Sequence, residues 1–266
     1  MEIKRLNYLN RLIDKQDNGM IKIITGLRRS GKSYLLYNLF RKYLLENVTD
    51  ENHIIYLALD AEENKKYWDA SALNDYLLSK IESEKEKYYI LLDEIQKVEE
   101  FVPVLNGFLY RENVDVYVTG SNSKMLSSDI STEFRGRGDV VHLYPLTFKE
   151  YLEAHSGDKD EAWNDYVLYG GLPYTLFCKT DEDKAEYLKN LYKETYLDDI
   201  KERRNIKNEQ LLNDILDVLS SQIGSLTNPT RLTNIINDIL DINKIEAGKK
   251  KIPETNGRKN IKSNSG

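Results

Sequence analysis

Short apolar runs alternate with segments of helical periodicity over the first 146 residues of the chain. The runs are apolar at almost every position, which is typical of strands buried on both faces of a sheet. They are residues 20–25, 53–60, 87–94, 114–122 and 138–146. The remaining segments repeat apolar residues every three or four positions, which predicts helices. These helices are residues 5–16, 33–47, 69–86 and 98–112.

Strands that alternate with helices favour a parallel sheet, because parallel neighbours need a crossover connection. We therefore predict an α/β fold over residues 1–146, with a parallel sheet covered by helices. Ligands of such folds bind at the carboxyl ends of the strands. Here those ends read TGLRRSGKS, LDAEE, LLDEIQ and VTGSNS. They are polar and built of small residues, so this edge of the sheet is the predicted site.

The strand signal disappears after Pro145, and helical patterns continue to about residue 246. This change predicts a helical lid over residues 147–205 and a further helical segment over 206–246. The last residues, 247–266, are rich in lysine and poor in apolar groups. That composition predicts a disordered basic tail.

Composition excludes several classes of protein. The 266 residues carry a net charge of −6, so there is no global basic surface for nucleic acid. A single cysteine, Cys178, excludes an intrachain disulfide and any zinc site built on cysteine pairs. The amino-terminal segment lacks an apolar signal region and no run approaches the length of a membrane span, so we expect a cytoplasmic protein without membrane contact.

The stretch GLRRSGKS, residues 26–33, has the G-x-x-x-x-G-K-[ST] spacing of a phosphate-binding loop. Glycines at both ends let backbone amides turn inward around phosphate oxygens, and the following helix adds its positive end. Lys32 would bridge the β- and γ-phosphates, and the Ser33 hydroxyl would bind Mg²⁺. A chance glycine-rich turn is the alternative, but a strand before the loop and a helix after it favour a P-loop NTPase. The predicted nucleotide-binding residues are Gly26, Ser30, Gly31, Lys32, Ser33 and Tyr34.

Two acids end the third predicted strand, in the sequence YYILLDEIQ. Asp93 is a candidate Mg²⁺ ligand together with Ser33, and Glu94 is a candidate base for the attacking water. Two solvated acids after a strand are the alternative interpretation. The next strand ends in three polar residues, Thr119, Ser121 and Asn122, one of which could contact the γ-phosphate. The sequence does not decide among them; Ser121 is taken as the catalytic candidate, and an ordinary turn after a strand is the alternative.

The sequence EFRGRGD places two arginines directly before the fifth predicted strand. Guanidinium groups stabilise charge on a transferring phosphoryl group, often from a neighbouring subunit. Arg137, and after it Arg135, are therefore candidate arginine fingers, with a solvated basic turn as the alternative. Arg28 and Arg29 inside the phosphate loop are expected to face solvent or a partner.

These motifs, in this order, resemble the AAA+ ATPases, and more narrowly the predicted bacterial and archaeal ATPases with a C-terminal DUF4143 domain. The similar pieces lie within residues 5–232 and include GLRRSGKSYLL, YILLDEIQKVEEF, FRGRGDVVHLYPLTFKEYL and YGGLPY. The resemblance implies the strand order 5-1-4-3-2, a helical lid, and ATP with Mg²⁺. It also implies Lys32 and Ser33 as Walker A residues, Asp93 and Glu94 as Walker B residues, and a winged-helix-like unit followed by a nuclease-like domain.

The match to this family stops within the segment 206–246, where a helix-turn-helix pattern begins and is not continued. Residues 234–252 instead look like the end of the dimerisation helix of sensor histidine kinases. A truncated gene joined to foreign sequence and a chance similarity of an amphipathic helix both explain this. We expect a C-terminally truncated member of the family, in which binding of DNA through the missing parts is in doubt.

The expected activity is Mg²⁺-dependent binding and hydrolysis of ATP, coupled to rearrangement of the lid or of an oligomer. The alternative is a nucleotide-controlled switch that binds DNA or a protein with little turnover. Phosphoryl transfer to a small acceptor is a weaker alternative, because DEIQ suits activation of water. A homo-oligomer is the expected assembly, and neither a DNA nor a protein partner is identified by the sequence.

Overall fold

The computed structural model describes residues 3–120, 134, 136–193 and 209–221, together with residues 230 and 234. The chain divides into two compact units, residues 1–189 and 190–266. The expected domain boundaries at residues 146, 205 and 246 stay predictions. Within the described ranges, no helix is both long and apolar enough to cross a bilayer.

The first unit is built on a five-stranded parallel sheet. Its strands are β1 (Ile21–Gly26), β2 (Ile54–Ala58), β3 (Tyr88–Asp93), β4 (Val114–Gly120) and β5 (Gly138–Leu143). Their order across the sheet is β2-β3-β4-β1-β5, and every pairing is parallel. The prediction of a P-loop NTPase sheet in the order 5-1-4-3-2 is confirmed.

Helices lie before β1 and between the strands along the chain. They are α1 (Leu6–Ile13), α2 (π-helical over Tyr34–Phe40, then α-helical over Arg41–Asn47), α3 (Ala70–Lys80) and α4 (Phe101–Phe108). Short 3₁₀ turns are Glu51–His53, Glu62–Tyr67 and Ile95–Lys97. Adjacent residues of each strand point to opposite sides: Ile23 packs in the layer of α3 and α4, whereas Ile24 packs in the layer of α2. Both faces of the sheet are therefore covered, as the apolar strands predict.

The segment after Pro145 is helical in its described parts. It contains α5 (Phe148–Ala154), α6 (Lys159–Tyr169), a 3₁₀ turn (Pro173–Phe177) and α7 (Asp181–Asn190). Capping boxes begin α5 at Thr147 and α6 at Asp158, where a glutamate three residues later completes each box. In the second unit, α8 spans Glu209–Ser221.

Three helices are shorter than their periodicity predicts, and α1, expected over 5–16, covers Leu6–Ile13. The helix expected over 69–86 ends at Lys80, because the amides of Glu82 and Ser83 donate to the Tyr88 hydroxyl at 3.2 Å. The helix expected over 98–112 covers only Phe101–Phe108, which places Pro103 in its first turn, where proline is tolerated. In α3, local periodicity continues past the point at which a tertiary contact ends the helix.

A buried ion pair joins β1 and β4 near their amino ends. Lys22 is fully buried, and its ammonium contacts the carboxylate of Asp115. That carboxylate also accepts hydrogen bonds from the Tyr117 hydroxyl at 2.9 Å and from the amide of Asp17 at 3.0 Å. Burial lowers the pKa of Lys22, whereas Asp115 opposes that shift. The pair lies near the amino ends of the strands, whereas the predicted site lies at their carboxyl ends.

Candidate nucleotide site

The carboxyl ends of the strands border a pocket of about 550 Å³ in the first unit. It is formed by the loop after β1, the ends of β2 and β3, the amino-terminal segment and the 3₁₀ turn after α6. Its lining residues are Ile3, Arg5, Arg28, Arg29, Ser30, Gly31, Lys32, Ser33, Tyr34, Asp60, Glu94, Gln96, Lys97, Pro173, Tyr174 and Phe177. Charged groups therefore surround one part of the pocket, and apolar and aromatic groups another.

Two glycines shape the phosphate loop. Gly26 has φ +148°, and a Cβ at this position would lie 2.2 Å from the carbonyl oxygen of Leu143 on β5. Gly31 has φ +96°, a conformation that side chains rarely adopt. The loop can therefore follow this path against β5 only with glycine at its first position. The phosphate loop ends at Ser33, and α2 begins at the next residue.

Lys32 lies inside this loop and is only 4% exposed. Its ammonium donates hydrogen bonds to the carbonyls of Leu27 at 2.9 Å and Gly26 at 3.3 Å. Burial lowers the pKa of Lys32, and the carboxylates of Glu94 and Asp93 oppose that shift. A buried cation in a loop of backbone amides is suited to bind an anion such as phosphate.

Ser30 provides an independent test of whether a phosphate fits this loop. Its side chain is fully buried, and its hydroxyl oxygen has no hydrogen-bond partner among the residues that the structure describes. A buried hydroxyl without a partner costs about 1–3 kcal/mol. A phosphate oxygen held by the loop would supply the missing acceptor.

Asp93, Glu94 and Thr119 form a connected group beside the loop. The buried Thr119 hydroxyl donates to the Asp93 carboxylate and accepts the backbone amide of Glu94 at 3.0 Å. Burial raises the pKa of Asp93, while hydrogen bonds from Thr119 and Ser33 favour its charged form. Glu94 has φ +55°, so its backbone turns away from the strand and its side chain reaches the pocket.

The apolar part of the pocket is formed by the turn GLPY, which follows α6. The Gly171 carbonyl accepts the amide of Leu146 at 2.7 Å, and a Cβ on Gly171 would lie 2.2 Å from the Leu146 oxygen. This close contact fixes the start of the turn against Leu146, and Pro173 lies 3.9 Å from the position of a Cβ on Gly31 of the phosphate loop. Pro173, Tyr174 and Phe177 then line the pocket together with Ile3. A flat apolar ligand such as a nucleobase suits these walls.

The structure brings most of the predicted site residues together. Those that line the pocket or lie directly beneath it are Gly26, Ser30, Gly31, Lys32, Ser33, Tyr34, Asp93 and Glu94. Of the three sensor candidates only Thr119 is described, and it bonds to both acids. Ser121, Asn122 and Arg135 lie outside the described residues.

Arg137 lies at the amino ends of the strands, opposite the carboxyl ends that border the pocket. Its carbonyl accepts the amide of Ile21, the first residue of β1, and its guanidinium lies 5.9 Å from the ring of Tyr110. The phosphate loop follows the last residue of β1, so the six residues of the strand separate the two by roughly 20 Å. Arg137 therefore does not reach the pocket of its own chain.

Eight pocket residues were not considered as site residues in the sequence, among them Arg5, Asp60, Gln96 and Pro173. Asp60 follows β2, in the polar strand end LDAEE, and Gln96 lies in the motif DEIQ, so both had a visible signal. Pro173 belongs to the motif GGLP. Arg5 had no such signal in the sequence. It is 3% exposed, and its guanidinium donates to the carbonyl of Tyr144 and, at 3.5 Å, to the carboxylate of Glu150. It thereby ties the amino-terminal segment to β5 and α5.

A phosphate loop between β1 and α2 of a parallel sheet, with acids at the end of β3, defines the P-loop nucleotide-binding proteins. The chain belongs to the AAA domain family, whose AAA_14 model matches residues 18–152. Fold and family together support nucleotide binding of the P-loop ATPase type. Residues 160–247 match a domain of unknown function, DUF8612, so the expected DUF4143 relationship is not confirmed.

Two relatives are uncharacterized proteins of Haemophilus influenzae and Methanocaldococcus jannaschii. The first is 35% identical over 88% of this chain, and the second is 27% identical over 88%. The chain spans 59% and 54% of their respective lengths.

Two solved structures are similar to part of this chain. A DNA polymerase III gamma subunit-related protein from Thermotoga maritima has a TM-score of 0.45 at 16% identity, covering 79% of this chain and 66% of that one. CDC6P from Pyrobaculum aerophilum has a TM-score of 0.40 at 15% identity, covering 56% and 46%. Likenesses of this extent carry no argument about function.

Proposed function

We propose that this protein binds ATP with Mg²⁺ and hydrolyses it. The observation that carries the proposal is the group formed by Asp93, Glu94 and Thr119 beside a buried Lys32. A phosphate loop alone binds a nucleotide, whereas hydrolysis also requires an oriented water and a charge to accept its proton. Glu94 provides that charge at the pocket wall.

Mg²⁺ would be held by the Ser33 hydroxyl and the Asp93 carboxylate, which are hydroxyl and carboxylate oxygens of the kind this ion prefers. The bound ion would neutralise charge on the phosphate oxygens. Because the two side chains already interact, the site needs little rearrangement to form. Burial raises the pKa of Asp93, so protons compete more strongly with the cation for this carboxylate as the pH falls.

The remaining roles follow from position in the pocket. Lys32 would exchange its two backbone carbonyls for β- and γ-phosphate oxygens. Glu94 would accept a proton from water as the water oxygen bonds to the γ-phosphorus. The bond from that phosphorus to the bridging oxygen breaks, and ADP leaves with the electron pair. Thr119 would keep Asp93 and Glu94 in a fixed position relative to each other through its two hydrogen bonds.

The test is the release of inorganic phosphate from ATP by the purified protein. We expect release that requires Mg²⁺ and stops when a chelator is added. Saturable binding of ATP without phosphate release would instead support the alternative function, a nucleotide-controlled switch. The absence of both binding and release would contradict the proposal.

Lys32→Ala should weaken the binding of ATP by roughly tenfold to a hundredfold, because hydrogen bonds to charged groups contribute about 1.5–3 kcal/mol. Fluorescence anisotropy of a labelled ATP analogue measures this change. Lys42→Ala, on α2 but outside the pocket lining, is the matched control and should bind like the parent protein. Equal ATP affinities of the parent protein, Lys32→Ala and Lys42→Ala would show that Lys32 does not contribute to ATP binding.

Arg137 belongs to this proposal only if the protein assembles, because its place at the amino end of β5 prevents contact with its own pocket. We propose that it acts on the nucleotide of a neighbouring chain in a homo-oligomer. Arg137→Ala should then lower turnover by about 10³-fold and abolish the rise of specific activity with protein concentration. Arg11→Ala, an exposed change on α1, should alter neither quantity.

Turnover measured over a range of protein concentrations, with the molecular mass followed by light scattering, decides this point. A parent protein whose specific activity is independent of concentration, with Arg137→Ala equally active, would contradict a role in trans.

A further inference from the structure

Gln96 makes a contact that the proposed roles do not explain. It lies two residues after Glu94, in the 3₁₀ turn Ile95–Lys97, and lines the same pocket. Its side-chain amide nitrogen donates a hydrogen bond to the Glu94 carboxylate. Its amide oxygen is buried and has no hydrogen-bond partner among the residues that the structure describes.

This arrangement is energetically asymmetric. Burial of an amide oxygen without a partner is unfavourable, and a glutamine turned towards water would avoid that cost. A hydrogen bond to a charged carboxylate is stronger than one between neutral groups, so the contact with Glu94 offsets the loss. The side chain of Gln96 is therefore held in place by Glu94, not by the packing of its own oxygen.

The backbone of Glu94 is held in place, and the contact with Gln96 acts on its side chain. The amide of Glu94 bonds to Thr119, and its φ of +55° is a conformation that few residues adopt. A free glutamate side chain has several rotamers, only some of which reach the phosphate loop. The contact with Gln96 restricts which of them the side chain adopts.

In this orientation Glu94 lines the same pocket as Lys32 and the phosphate loop. Of the two carboxylates that raise the pKa of Lys32 against the effect of burial, Glu94 has the larger effect, which agrees with this placement. Glu94 therefore shares the pocket with the cation expected to hold the γ-phosphate while Gln96 is bound to it. The contact is compatible with the geometry that catalysis requires.

We propose that Gln96 is a positioning residue, which holds the Glu94 carboxylate towards the phosphate loop so that it can take the proton of the attacking water. This inference rests on the proposed hydrolysis. Gln96 itself exchanges no proton in the reaction. A misplacement of about 1 Å in a reacting group can lower a rate by as much as about a hundredfold.

The kinetic test replaces Gln96 by methionine, which has a similar length but no donor. Gln96→Met should lower kcat by roughly tenfold to a hundredfold, while KM for ATP changes by less than about twofold. Gln16→Met, before β1 and outside the pocket lining, is the matched control and should keep the parent values. An unchanged kcat in Gln96→Met would overturn the proposal.

Gln96→Glu adds a signature that a merely structural role would not produce. A protonated carboxyl can donate to Glu94, whereas an ionised one repels it. The activity of Gln96→Glu should therefore be confined to lower pH than that of the parent protein. A pH profile identical to that of the parent would contradict the inference.

A third measurement needs no turnover. In the ¹⁵N-labelled protein without nucleotide, the side-chain amide of Gln96, assigned through its loss in Gln96→Met, should shift on Glu94→Ala. The side-chain amide of Gln16 should not move. An unmoved Gln96 signal would overturn the contact itself. A moved signal in a parent protein that releases no phosphate would refute the proposed hydrolysis, and with it the catalytic purpose of the contact.

Discussion

Glu94→Gln is expected to bind ATP with parent affinity and to lose turnover by about 10²–10⁴-fold. The substitution keeps the size of the side chain and removes its capacity to accept a proton. Its backbone contact with Thr119 is unaffected, so the phosphate loop and the Asp93 carboxylate keep their places. Binding and hydrolysis should therefore separate in this variant.

Phosphate release and ATP affinity, measured on the same preparation, test this expectation. Glu99→Gln is the control, since Glu99 is exposed, lies on the segment after the same 3₁₀ turn and is outside the pocket lining. It should match the parent in both assays. Hydrolysis by Glu94→Gln at the parent rate would show that another group activates the water.

Asp115→Asn is expected to lower the free energy of unfolding by about 3–5 kcal/mol, because it leaves the ammonium of Lys22 buried without its counter-charge. The Tyr117 hydroxyl and the Asp17 amide would keep an acceptor in the asparagine oxygen, so the loss arises mainly from the charge. Urea unfolding followed by circular dichroism measures the change in the midpoint and its slope.

Asp139→Asn is the matched control for this prediction. Asp139 pairs with Lys15 at 2.6 Å, but the two side chains are 20% and 27% exposed. Partly solvated pairs contribute at most about 1 kcal/mol, so this variant should unfold close to the parent midpoint. If Asp115→Asn and Asp139→Asn lowered the free energy of unfolding equally, burial would not make the Lys22–Asp115 pair more costly to break.

Much of the fold could be predicted because its signals are local. The apolar runs 20–25 and 87–94 identify strands by composition alone, and the alternation with helices implies a parallel sheet. The phosphate loop follows from spacing, since Gly26 and Gly31 must adopt a positive φ and Lys32 must follow. The strand order came from the family resemblance and not from periodicity.

The parts that could not be predicted depend on contacts between distant residues. Arg5 bonds to Tyr144 and Glu150, more than a hundred positions away, and nothing in its own segment indicates burial. The end of α3 at Lys80 depends on the Tyr88 hydroxyl. The role of Gln96 depends on the direction of one side-chain amide, which the motif DEIQ leaves undetermined. Arg137, by contrast, precedes a strand, so its distance from the phosphate loop was implicit in the sequence.

The central claim is that the loop after β1 binds the phosphates of a nucleotide. Calorimetric titration of the protein with ATP and with adenosine, both with Mg²⁺ present, tests it most directly. We expect saturable binding of ATP at one site per chain, and binding of adenosine weaker by about a hundredfold or more, since the charge-assisted contacts are all to phosphate. No binding of ATP, or equal binding of ATP and adenosine, would contradict the claim.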